Sequence, residues 1–134
     1  ISPGGRHSPF ANYVLVLSPG GRNRAGGGIR RPTPKQLELI REEIDYSPGE
    51  LEGILAEPAF REAFGTFRGE QRKTAPKGYS RDHAAIELIK YNGYQVLHYF
   101  TDEEACRPDF PDRLLEYYRI VKPLHDFLNR TQTE

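Results

Sequence analysis

Residues 13–31 leave this chain few folds to choose from. Tyr13-Val14-Leu15-Val16-Leu17 is a short apolar run rich in β-branched residues, the pattern of a buried strand. Ser18-Pro19-Gly20-Gly21-Arg22 follows at once. Pro presets φ and Gly accepts a positive φ, so the chain is expected to reverse there. Gly26-Gly27-Gly28-Ile29-Arg30 is then the candidate partner strand. Three glycines weaken a strand, and they mark a place where a backbone, an aromatic ring or a ligand comes close. The same turn chemistry stands at Ser2-Pro3-Gly4-Gly5-Arg6, which reads as another hairpin end and not as a solenoid period.

Downstream, the pattern changes to helical. Thr33-Pro34-Lys35-Gln36 is a capping box with Pro at the first helical position, followed by Leu37, Ile40 and Ile44 at helical spacing. Ser47-Pro48-Gly49-Glu50 repeats the device ahead of Leu51, Ile54 and Leu55, and Pro58 is expected to end or kink that helix. Phe60, Ala63 and Phe64 make one more apolar turn, closed by Gly65. A third helix is expected over about 82–91, capped by Ser80 or Asp82, with Ile86 and Ile89 inward. Asn92-Gly93 turns the chain into an aromatic-rich strand, Tyr94–Phe100, and Thr101-Asp102-Glu103-Glu104 is another capping box. The last helix is expected from about 111 to 130, with Leu114, Tyr118, Val121, Leu124 and Leu128 on one face and a kink at Pro123. The fold class is α+β: an antiparallel hairpin and a later strand packed under several helices, ending in a long kinked one.

At 134 residues the chain is one domain's worth, and eight tyrosines and seven phenylalanines supply core mass. No apolar run approaches the ~18 residues of a membrane span, and no signal-peptide pattern opens the chain. The single Cys106 cannot form an internal disulfide, which points to a reducing compartment, the cytoplasm. The sequence starts at Ile1 and contains no Met, which reads as a fragment, a processed product or the ordered part of something longer.

Nineteen basic and nineteen acidic side chains cancel, but unevenly along the chain. Residues 1–35 carry Arg6, Arg22, Arg24, Arg30, Arg31 and Lys35 and no acid. Acids dominate 36–67, cations return over 68–81, and the remainder is acidic. Such alternation either aims local fields at a partner or lets acidic helices and basic loops neutralise one another; the second reading is the commoner one.

Residues 72–90 carry the chemistry most open to a function. Lys73 and Lys77 supply ammonium groups, Thr74 and Tyr79 hydroxyls, and the expected helix start would add free amides and a partial positive charge. Together they suit a phosphate, sulfate or carboxylate, although no Walker spacing is present. The competing reading is a solvated connector with a good helix cap. Asp82-His83 invites an acid–base role, but adjacent helical residues point about 100° apart and do not simply pair. A capping Asp beside a surface His is the plainer account.

His7, His98 and His125 are scattered without metal-ligand spacing, so no metal site is expected, and no cofactor. His98 shares a strand face with Tyr94, Val96 and Phe100 and reads as a hydrogen-bonded core residue. Cys106 has acidic neighbours that discourage a thiolate nucleophile. Arg22-Asn23-Arg24-Ala25-Gly26-Gly27-Gly28-Ile29-Arg30-Arg31 offers contacts to a phosphate backbone, yet the chain is neutral and sequence alone shows no basic face with stacking aromatics. Nucleic acid and membranes are therefore not among the expected partners.

Tyr13–Leu17 with Ser18-Pro19-Gly20-Gly21, Gly26-Gly27-Gly28-Ile29, Pro58-Ala59-Phe60, Lys73-Thr74-Ala75-Pro76-Lys77-Gly78-Tyr79, Asp82-His83, Ile86–Lys90 and Pro123–Leu128 together resemble domain-of-unknown-function family 2461. The resemblance runs through nearly the whole chain in order and carries over no established activity. It implies that the chain corresponds to the C-terminal two-thirds of the family domain, lacking an N-terminal segment with a basic Arg-Asp-Arg-Phe-Ser-Lys-type motif. Similar proteins often place His or Gln in the strand where this chain has Val14-Leu15-Val16.

The leading expectation is a single α+β domain that binds a small anionic ligand. The glycine hairpin (Arg22, Arg30) would join the loop of Lys73, Thr74, Lys77 and Tyr79. The alternative is a structural or protein-interaction module, docked on a missing N-terminal segment or on a second copy of itself. A third reading is an enzyme using Asp82 or His83 for proton transfer.

Overall fold

The structure, a computed structural model, describes residues 10–132. The Ser2–Arg6 turn and His7 lie outside the described residues. Strand β1 (Asn12–Val16) reverses through Gly20 and Gly21, both at positive φ, into β2 (Asn23–Ile29). Helices α1 (Pro34–Tyr46), α2 (Pro48–Ala56) and α3 (Pro58–Phe64) follow, then a long connection and the short α4 (Ile86–Ile89). Strand β3 (Tyr94–Phe100), the short α5 (Asp102–Ala105) and the 22-residue α6 (Phe110–Thr131) complete the chain. The three strands form one antiparallel sheet in the order β1-β2-β3, so the fold is α+β.

Local chemistry explains most of these boundaries. The Thr33 hydroxyl accepts from the Gln36 amide while Gln36 Oε1 accepts from the Thr33 amide, and Thr101 and Glu104 repeat that exchange at α5. Ser47 makes no such bond, so α2 starts on Pro48 alone, against the expected second cap. Pro58 falls at the first turn of α3 after α2 has ended at Ala56. Helix α6 continues through Pro123, whose missing N–H leaves the Arg119 carbonyl without its helical donor. The expected helix over 82–91 is much shorter. Residues 80–85 form turns, because Ser80 Oγ takes the Asp82 amide and the Ser80 carbonyl takes that of His83.

Strand alternation sorts β2 into two sets. Asn23, Ala25, Gly27 and Ile29 face the helices, where Val121, Leu124, Phe127 and Leu128 of α6 join Val96 and Tyr94 of β3 in the core. Phe100, Ala25 and Phe110 form a second, smaller cluster beside it. The other face of the sheet, carrying Val14, Val16, Arg24, Gln95, Leu97 and Tyr99, borders an open groove. Among the described residues no helix is long and apolar enough to cross a membrane.

Candidate functional site

The groove on the sheet face turned away from the helices has a volume of about 1040 Å3. Five arginines line it: Arg22 and Arg24 at the hairpin end, Arg30 and Arg31 where β2 runs out, and Arg68 beside β3. Among the described residues a single carboxylate, Glu70, lines it with them. Positions 22, 24 and 30 share this side because side chains alternate along an extended chain, and the intervening 26 and 28 are glycines. Arg24 Nη1 donates to the Arg22 carbonyl at 2.8 Å, and Arg68 Nη2 to the Leu97 carbonyl at 3.4 Å. Arg68 also sits over the Tyr99 ring, 5.7 Å from its centroid. Among the described residues none of the five is in an ion pair.

One wall of the groove is built by Arg68, Gly69 and Glu70, in a segment that runs against the start of β3. Arg68 and Gln71 bridge to Gln95 and Tyr91, and the Arg68 amide donates to the Gln95 carbonyl at 2.7 Å. The hairpin end is fixed from the other side. Asp102, the first residue of α5, accepts from the amides of Gly20 (2.8 Å) and Gly21 (3.0 Å) and from Asn23 Nδ2 (2.7 Å). These three bonds hold its carboxyl below the usual carboxylate range. The turn's amides thus already serve an anion, one belonging to the chain itself.

Arg22 and Arg30 reach the groove, whereas Lys73, Thr74, Lys77 and Tyr79 are not part of its lining. Lys73, Thr74 and Lys77 are exposed, and Tyr79 packs half-buried against the main core. Burial raises the Tyr79 hydroxyl's pKa, and Asp45 and Glu42 add to the shift. The loop offers few amides to a ligand. Tyr79 N–H is held by the Pro76 carbonyl, and the amides of 82, 83, 85 and 86 are all bonded within residues 80–86.

Asp82 and His83 do not pair. His83 Nδ1 accepts from the Ala85 amide at 2.9 Å, so the ring proton lies on Nε2, directed at Asp45 Oδ1 of α1 at 2.6 Å. Both ring nitrogens are engaged, and the contact pins the 80–85 turns to α1. Neither is open to a substrate proton in this arrangement. His98 Nδ1 donates to the Ala63 carbonyl at 2.7 Å, and its ring stacks on Tyr117. Cys106 is exposed.

A buried polar group that the sequence reading left unassigned is His125 on α6. Its Nε2 accepts from the Gly28 amide at 2.9 Å, and its ring lies against Tyr13. A Cβ on Gly27 would clash with that nitrogen, so glycine at 27 is what admits the imidazole. Burial pushes the His125 pKa down to about 4. Arg41 of α1 is likewise an inward anchor: Nε donates to the Ile89 carbonyl and Nη2 to that of Tyr91. Among the described residues no group of three or more His, Cys, Asp or Glu side chains is placed to hold a metal ion.

Sequence reasoning singled out Arg22 and Arg30 but missed Arg24, Arg31 and Arg68 as their companions. The available signal was the two-residue spacing of 22, 24 and 30, which needs β2 to begin at Asn23, three residues before the glycines. No curated protein and no solved structure matches the chain. A model of the family described as "Conserved hypothetical protein (DUF2461)" matches residues 1–127, nearly the whole length, and the chain belongs to that family.

Proposed function

We propose that this chain binds an anionic ligand on the open face of its sheet, in the groove shared by Arg22, Arg24, Arg30, Arg31 and Arg68. The observation that carries the reading is the convergence of five guanidinium groups, none ion-paired among the described residues, on one groove with one opposing carboxylate. Like charges gathered this way repel, and an anion entering the groove relieves that repulsion. Guanidinium forks suit phosphate or carboxylate oxygens in pairs. Lys73, Thr74, Lys77 and Tyr79 are not needed for such a site.

Titration calorimetry with inorganic tripolyphosphate tests the reading. Binding that weakens about tenfold on Arg30→Gln or on Arg22→Gln, according to the end of the groove occupied, is the expected result. No binding, or binding indifferent to both substitutions, overturns it. Loss on Lys73→Ala or Lys77→Ala alone would move the ligand to the loop.

One observation favours a second reading, a protein-interaction module. Leu15 and Leu17 are 44% and 62% exposed on and just beyond the edge strand β1, an arrangement that invites strand pairing with a second copy. Sedimentation showing a dimer that Leu15→Lys dissociates would support it; a monomer at all concentrations would not.

A further inference from the structure

We infer that the anion this groove is built for is a single strand of nucleic acid, an inference that rests on the anion-binding reading above. The length of the groove, the spacing of its arginines and one exposed ring point to such a strand. Arg22 and Arg30 are eight residues apart on an extended segment, which at ~3.3 Å per residue separates their backbones by about 26 Å. A compact anion meets the cations of one end only. A strand of phosphates meets both ends and passes Arg68 between them, and a run on the order of four nucleotides is the lower limit of sites of this kind.

The floor of the groove suits the bases of such a strand. Between the cationic ends β2 puts no side chain on this side: the positions there are Gly26 and Gly28, both buried, where an added Cβ would strike the carbonyls of Val96 and Tyr94. The flanking positions are Val14, Leu97 and Tyr99. Tyr99 is the exposed aromatic of that face, 48% accessible, and Arg68 lies over its ring. Ring and guanidinium are the two planar surfaces on which unpaired bases stack. A duplex keeps its bases stacked inside and cannot use them. Overall neutrality argues against a nucleic-acid partner only if charge is spread evenly. Here the arginines sit on the sheet's open face, and acids such as Glu43 and Glu50 are engaged by Arg130 across the helical layer.

Fluorescence anisotropy of a labelled oligothymidylate, competed by inorganic tripolyphosphate and by duplex of equal length, decides the matter. The expected result is single-strand binding with a log–log salt slope of about −3, each of Arg24→Gln and Arg30→Gln reducing its size by about 0.7. Tyr99→Ala should weaken the oligonucleotide about tenfold, Tyr99→Phe should restore it, and neither should alter tripolyphosphate binding. Tripolyphosphate binding through the arginines, with an oligonucleotide no tighter and indifferent to position 99, overturns this inference while leaving anion binding intact. A duplex that competes as well as the single strand overturns it too. If neither polyanion binds, both readings fall.

Discussion

The two faces of the sheet are made by alternate residues of one strand, yet they obey opposite rules. On the helix side Ala25, Gly27 and Ile29 are buried under α6, no buried side-chain nitrogen or oxygen among the described residues lacks a hydrogen-bond partner, and an added methyl at 27 has nowhere to go. On the other side Arg22, Arg24 and Arg30 stand around open space. A close-packed face is intolerant of volume change, because neighbours cannot relax into or out of the altered space. A charged, solvated face is tolerant in stability and sensitive in binding. One face holds the fold, and the other is free to be selected for what it touches.

The sharpest way to break this contrast is to cut into the packed face. Phe100→Ala should cost about 4 kcal/mol, since the ring is fully buried against Phe110 and Tyr117. Denaturant titration checks it. Gly27→Ala comes next, at about 2–3 kcal/mol, because the methyl displaces the His125 ring and breaks its bond to the Gly28 amide.

Acid should find the same face. The folded pKa of His125, about 4, lies below the unfolded value of 6.5, so the unfolded chain takes up the proton first. The stability linked to this group is whole above pH 6.5 and is lost as pH falls from 6.5 to about 4, a total of about 3 kcal/mol. Thermal melting across that range should show the loss, and His125→Gln should flatten this part of the profile. Asp102 behaves alike at lower pH. Its folded pKa is depressed, so its contribution is present above 3.8 and fades as pH drops through the folded value. Asp102→Asn should lower the melting temperature by a few degrees and remove that step. The smallest effect belongs to the open face: Arg24→Gln should change stability by no more than about 0.5 kcal/mol. A loss the size of the Gly27 effect would show that the open face also holds the fold.

The same division governs what the sequence made legible. Capping boxes at Thr33 and Thr101 and the Asn92-Gly93 turn are written in contiguous residues, and α1, α5 and β3 begin where those signals place them, whereas β2, expected over Gly26–Arg30 after the Pro-Gly-Gly reversal, begins earlier, at Asn23. The 82–91 helix failed because Ser80 and His83 offered the backbone nearer partners than a helical turn would, and no periodicity reports that competition. The companionship of Arg68 with Arg24, and of His125 with Gly27, depends on segments brought together from far along the chain. The glycines hinted that something approaches closely. Only the packing of α6 across β2 identifies it as an imidazole.

The central position of β2 also bears on how the chain comes to be made. Its first partner, β1, is synthesised just before it, but Asn23 meets Phe100 only after 77 more residues have been added. During translation the hairpin therefore waits with one edge bare, the condition in which nascent strands find wrong partners. Gly26, Gly27 and Gly28 make that edge a poor template, since glycine has low strand propensity and little side chain to offer a stranger. The weakness that admits His125 in the finished molecule thus also protects the unfinished one, and β2 becomes a good strand only when α6 and β3 arrive to complete it.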